Sequence, residues 1–218
     1  MNNSTTKNLL TCGIIAPILF VVVFIIEGAT RNDGYNPLRH PVSSLAIGDL
    51  GWIQTCNFLV SGTLIILFAY DMRNIIKPPK GSILIALVGM GLFGAGICTT
   101  DPVYGYPTNL PMALAQFTFR GHMHDFFSIF VFICLPIACF KFRKWYSKRG
   151  SNGLAFYSVF SGISMLVFFA LAAAGFKQTP GLLEYAGVFQ RLSIISGVAW
   201  VLVLAVYLRR GLNLNEEG

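Results

Sequence analysis

The chain has 218 residues, of which 55% are hydrophobic and only 11% charged, and its mean hydropathy is +0.65. A water-soluble domain of that length must clothe its surface in polar groups, so this composition excludes one. The net charge of +7 does not mark a nucleic-acid binder either. The basic residues stand just beyond the ends of apolar runs, as they do in a chain oriented across a bilayer.

Six apolar runs follow in order, at about 9–26, 53–70, 82–99, 122–140, 153–175 and 187–208. Each approaches the roughly 20 residues that cross a hydrocarbon core. The first, "LLTCGIIAPILFVVVFII", follows Lys7, and the "EGATRND" after it offers no small-x-small cleavage site. It therefore reads as a retained helix rather than a signal peptide. Pro17 predicts a bend in the first helix and Pro136 one in the fourth. The third run carries "GMGLFGAG", whose small residues permit close backbone packing. Trp52, Trp145, Tyr146 and Tyr207 fall near run ends, as an aromatic belt requires. Together the runs predict an all-α, polytopic six-transmembrane-helix bundle, one domain over 1–218.

Orientation follows from the cations. Lys7, Arg73, Lys77, Lys80, Lys141, Arg143, Lys144, Lys148, Arg149, Arg209 and Arg210 belong to one set of helix ends. Only Arg31, Arg39, Arg120, Lys177 and Arg191 belong to the other. That bias predicts cytoplasmic termini and an extracytoplasmic connector between the first two helices. The five cysteines lie in or beside apolar runs without any C-x-x-C pair, so they read as small packing residues. Cys56 and Cys98 fall toward one face, where a disulfide is the alternative.

The extracytoplasmic side collects the chemistry. It holds all three histidines, His40, His122 and His124, together with Asp101, Asp125, Glu27 and Arg191. At 1.5 Å per helical residue, Glu27 lies about 30 Å from Lys7 and Asp101 about 31 Å from Lys80. His122 and Arg191 come out at about 28 Å and 27 Å from Lys141 and Arg209. Four helices thus deliver polar groups to one level. An arginine several residues inside an apolar run either snorkels or pairs within the bundle, and Arg191 is predicted to pair with Asp101 or Glu27.

"GHMHD" places His122 and Asp125 at i and i+3, on one helical face, with His124 directed elsewhere. With Asp101 and His40, these groups offer nitrogen and oxygen ligands for zinc or another divalent ion. A metal-free reading has Asp101 or Asp125 orienting a histidine that activates Ser43. Arg39 and Arg191, beside Glu27 and Gln190, are candidates to hold an anionic head group. The plainer readings are a hydrogen-bond network joining helix heads, and Ser43 and Ser44 capping a short helix.

The segments "YNPLRHPVSSLAIGDLGWIQTCNFLVSG", "TTDP", "GHMHD" and "FQRLSIISGVAW" resemble the family called domain of unknown function 998, six-helix integral membrane proteins of bacteria and archaea. The resemblance covers about 9–208. It implies the six-helix fold and shared positions that match Arg39, His40, Pro41, Ser43, Asp101, His122 and Arg191. Family members often carry Phe-Pro before the aspartate, which "CTTDP" lacks, so the local turn is expected to differ.

Three functions are compatible with the sequence. The first is a binder of a membrane lipid or other anionic amphipath in a polar extracytoplasmic pocket. The second is a membrane-embedded hydrolase or transferase acting on an outer-leaflet lipid by His/Asp acid–base or metal chemistry. The third is a small-solute transporter, for which ionisable groups at mid-span are the usual mark and are essentially lacking. Expected partners are lipid and a second copy or another membrane protein, with no nucleic acid. The expected location is the plasma membrane of a bacterium or archaeon.

Overall fold

The computed structural model describes residues 3–76, 80–103, 105–107 and 117–214. Lys77, counted above among the basic residues, lies outside them. Six helices follow in chain order: α1 (Asn3–Thr30), α2 (Gly51–Ile75), α3 (Lys80–Ile97), α4 (Phe119–Ser147), α5 (Asn152–Phe176) and α6 (Ala186–Leu214). Short 3-10 turns at Val42–Ala46 and Leu183–Tyr185 interrupt the connections. No strand occurs among the described residues, only an isolated bridge between Val103 and Tyr106.

All six helices are long and apolar enough to cross a membrane. In lipid the backbone has only its own groups to bond, and a helix satisfies them within one segment. Most helices extend past the apolar runs. Lys141, Arg143 and Lys144 continue α4, and Arg209 and Arg210 continue α6, because arginine and lysine are good helix formers and can reach the head-group layer. Pro17 and Pro136 both lie inside continuous helices.

Each helix packs against its neighbours in sequence, and α1 returns to α6. The chain therefore forms a ring of alternating direction, with α4 also touching α6 across it. Close contact between α2 and α3 depends on absent side chains. A β-carbon on Gly62 would lie 2.6 Å from the Phe93 nitrogen, and one on Gly89 would lie 2.8 Å from the Gly62 carbonyl oxygen. The glycine-rich run in α3 thus brings two backbones together, as its composition predicts.

Inside the ring, Phe142, Tyr146, Trp200, Leu135 and Met165 are buried. The Trp200 indole donates to Ser158 Oγ at 2.8 Å and Ser193 Oγ donates to the Met165 carbonyl at 2.8 Å, so polar pins join α5 and α6. On α2, Asn57 Nδ2 donates to the Phe20 carbonyl of α1 at 3.1 Å and to Gln54 Oε1 at 3.1 Å. Outward-facing Phe156, Phe160 and Ile163 are exposed along α5, the arrangement expected where hydrocarbon rather than water surrounds a helix. None of the five cysteines forms a disulfide; Cys134 and Cys139 are buried, whereas Cys56 is exposed on α2.

Candidate functional site

The connector between α1 and α2 folds over one end of the ring. Pro37 and Pro41 fix φ on either side of Arg39 and His40. Asn36 closes the turn: its carbonyl accepts from the His40 amide at 2.7 Å, and its own amide donates to His40 Nδ1 at 3.0 Å. His40 is consequently buried, its ring centroid 5.6 Å from Tyr35 and 5.4 Å from Tyr106.

Helix α6 holds this connector through its first turns. A β-carbon on Gly187 would stand 2.6 Å from the carbonyl oxygens of both Pro37 and His40, so only glycine admits the approach. The Val188 amide donates to the Leu38 carbonyl at 3.1 Å. One turn on, Arg191 Nη1 donates to the carbonyls of Pro37, His40 and Gly187 at 2.7, 3.1 and 3.0 Å, and Nη2 donates to the Tyr35 hydroxyl. Gln190 Oε1 accepts from the Val42 amide at 2.8 Å. The expectation that Arg191 pairs with Asp101 or Glu27 is corrected here. The connector presents converging carbonyls within reach of the guanidinium, and Glu27 has another partner.

That partner is Arg31. Its Nη2 bonds Glu27 Oε1 at 3.0 Å and the Leu45 carbonyl, while Nη1 bonds Asp33 Oδ2 at 2.8 Å, the Ile47 carbonyl at 3.1 Å and the Tyr106 hydroxyl at 3.2 Å. Tyr106 in turn donates to Asp33 Oδ2 at 2.8 Å. The Arg31 side chain is 2% exposed and that of Glu27 7%. Burial pushes the Asp33 carboxyl up, but the Tyr106 hydroxyl and the Arg31 guanidinium more than offset it, leaving the group below its ordinary range. Burial, followed by donation to Asp33, pushes the Tyr106 hydroxyl up.

Beneath the connector the ring encloses a cavity of about 50 Å³, several times the roughly 10–15 Å³ that one water needs by this measure. All six helices and the Val42–Ala46 turn contribute to its wall, which is mainly apolar: Phe20, Phe58, Leu92, Phe132, Met165 and Ile194 among others. Four polar side chains share the lining, Ser43, His124, Ser128 and Gln190. His124 Nδ1 stands 2.7 Å from the Cys98 carbonyl oxygen and 3.0 Å from that of Ala95. Carbonyls only accept, so Nδ1 carries the hydrogen, and Nε2 is the acceptor of the neutral ring.

The sequence-derived residues divide between these layers. Ser43 and Gln190 meet at the cavity; His40, Glu27 and Arg191 belong to the clamp above it. Arg39 is partly buried, with Nε unpartnered among the described residues. Asp101 accepts from the Thr118 amide at 2.8 Å and the Thr118 hydroxyl at 2.6 Å, fastening the start of α4. His122 and Asp125 are exposed, and the His122 ring stacks on Phe117 with centroids 6.1 Å apart. Thus His124, which the i, i+3 argument directed away, is the histidine at the cavity. The helical spacing Gly121–His124–Ser128–Val131–Leu135 identifies that face once Gly121 rather than Asp125 anchors it. Arg31, read from sequence only as a boundary cation, is the center of the clamp. Among the described residues no three of His, Cys, Asp and Glu gather closely enough to hold a metal ion.

A ring of membrane-length helices closed at one end by a hydrogen-bonded connector defines a polytopic membrane protein. Residues 14–207 match the family model described as protein of unknown function (DUF998), and the chain belongs to that family. Comparison with curated proteins and with solved structures gave no match.

Proposed function

We propose that the protein binds the polar head of an amphipathic molecule, a lipid or lipid-like compound, in the axial cavity below the connector. The observation that carries this reading is His124. The Ala95 and Cys98 carbonyls at the end of α3 orient its ring and fix its tautomer, so an acceptor nitrogen belongs to a side chain that lines a mainly apolar cavity. Orienting an imidazole in this way suits recognition of a hydrogen-bond donor. Ser43, Ser128 and Gln190 add further polar contacts, and the surrounding rings and aliphatic groups suit a hydrocarbon portion. Arg191 and Arg31 are occupied by protein acceptors, so a hydroxyl-bearing head fits better than a phosphate.

The cation bias supports cytoplasmic termini and an extracytoplasmic connector, and the family resemblance implies the plasma membrane of a bacterium or archaeon. The test is native mass spectrometry of protein purified in mild detergent. A co-purifying amphipath is expected on the wild type and absent from His124→Asn. Empty wild-type protein after gentle extraction would refute the reading.

A second reading rests on the same cavity: His124 with Ser43 or Ser128 as a base and a nucleophile acting on an ester. Here the recovered molecule would be cleaved or transferred by the wild type and not by Ser43→Ala or Ser128→Ala.

A further inference from the structure

The opposite end of the ring carries a separate feature. Lys80 at the start of α3, Lys141 and Lys144 on α4, and Lys148 and Arg149 just beyond it wall one groove of about 290 Å³. Among the described residues no carboxylate lines this groove and none of the five cations forms an ion pair. Its floor includes Trp145, whose indole Nε1 is buried without an acceptor among the described residues. The Arg149 guanidinium lies 3.8 Å over the Trp145 ring and donates to the Trp145 carbonyl at 3.3 Å, fixing one cation at the rim.

Membrane orientation accounts for basic residues at this end but not for their gathering in one concavity. Arg73, Arg209 and Arg210 belong to the same end and lie outside it. Like charges so placed repel one another unless an anion joins them. From these observations we infer that the groove binds the phosphate-bearing head group of an anionic phospholipid in the adjoining leaflet. Several ammonium groups can surround a phosphodiester as point charges, and the unpartnered indole N–H can bond one of its oxygens. Exposed Ile83 on α3 and Ile137 on α4 stand one turn from Lys80 and Lys141 and extend an apolar surface from the groove along the same helices. That surface suits acyl chains and distinguishes a lipid from free phosphate.

The experiment uses full-length protein in detergent, titrated with short-chain phosphatidylglycerol or phosphatidylcholine and read by native mass spectrometry and thermal shift. Phosphatidylglycerol is expected to bind preferentially. The Lys141→Gln/Lys144→Gln/Lys148→Gln variant should lose roughly a hundredfold in affinity. Arg73→Gln/Arg209→Gln/Arg210→Gln removes the same charge outside the groove and should bind nearly as the wild type does. Arginine at the three lysine positions should preserve binding and show that the groove tolerates substitution. Equal losses in both glutamine variants, or loss in neither, would overturn the inference. Displacement by inorganic phosphate at equal concentration would overturn the assignment to lipid.

Discussion

Arg191 on α6 donates to the hydroxyl of Tyr35, 156 positions earlier in the chain, while its other terminal nitrogen meets three carbonyl oxygens. One side chain thereby fastens the connector to the helix ring. Charged hydrogen bonds contribute about 1.5–3 kcal/mol each, and stranded buried carbonyls add a penalty. Arg191→Gln should accordingly cost more than about 3 kcal/mol and lower the unfolding temperature in detergent markedly. Arg191→Lys keeps the charge but not the fork, and is expected to recover only part of the loss. Tyr35→Phe removes the hydroxyl that accepts from Arg191 and donates to the Pro41 carbonyl at 3.0 Å, and should cost about 1.5–3 kcal/mol. Equal melting temperatures across the series would show that the connector does not depend on this contact.

Gly121 and Asp101 make a second, independent joint. A β-carbon on Gly121 would stand 2.0 Å from Asp101 Oδ2, so Gly121→Ala must displace the carboxylate from Thr118. Asp101→Ala removes the same bonds directly. Each change is expected to cost about 1–3 kcal/mol, the range for stranding a bonded polar group. Because both disrupt one contact, the double variant should be little worse than either single one. Full additivity in chemical denaturation would separate the two residues.

Much of this architecture is legible from sequence because lipid leaves little choice: a long apolar run becomes a helix, and six runs become a bundle. The helix ends are less so, since hydropathy marks where lipid stops and not where hydrogen bonding does; α4 runs on through Lys141 and Lys144 for this reason. The site was legible in its residue types and in its end of the bundle, but not in its pairings. Backbone carbonyls carry no sequence signature, yet they are the partners of both Arg191 and His124. Arg31 reads from sequence only as a boundary cation because its acceptors, the Leu45 and Ile47 carbonyls, belong to a connector whose path no periodicity predicts. The i, i+3 spacing to Asp125 and the family resemblance both point to His122, while burial selects His124.

The clamp around Arg31 also has a defined acid sensitivity. Asp33 has a folded pKa below its ordinary 3.8, so its ionised form favours the folded chain. That contribution is present above the ordinary value and is lost as pH falls through the lower, folded one. Wild type should therefore melt above Asp33→Asn at neutral pH, with the difference closing below pH 3.8. The effect should be modest because the Asp33 side chain is 39% exposed. A gap that persists unchanged into acid would mean that the carboxylate charge is not what stabilises the connector.

His124 performs two tasks that substitutions can separate. Nδ1 donates to carbonyls at the end of α3, and the ring helps line the cavity where Nε2 is the available acceptor. Asparagine places an amide N–H near the position of Nδ1 but reaches no farther, so His124→Asn should keep the α3 contact and lose the acceptor. His124→Ala should lose both, at an added cost of about 1–3 kcal/mol for carbonyls left without a donor. The expected pattern is near-normal melting with no bound amphipath for Asn, and lowered melting with no bound amphipath for Ala. Retention of the amphipath by His124→Asn would restrict His124 to joining α3 and α4, and recognition would then rest with Ser43, Ser128 and Gln190.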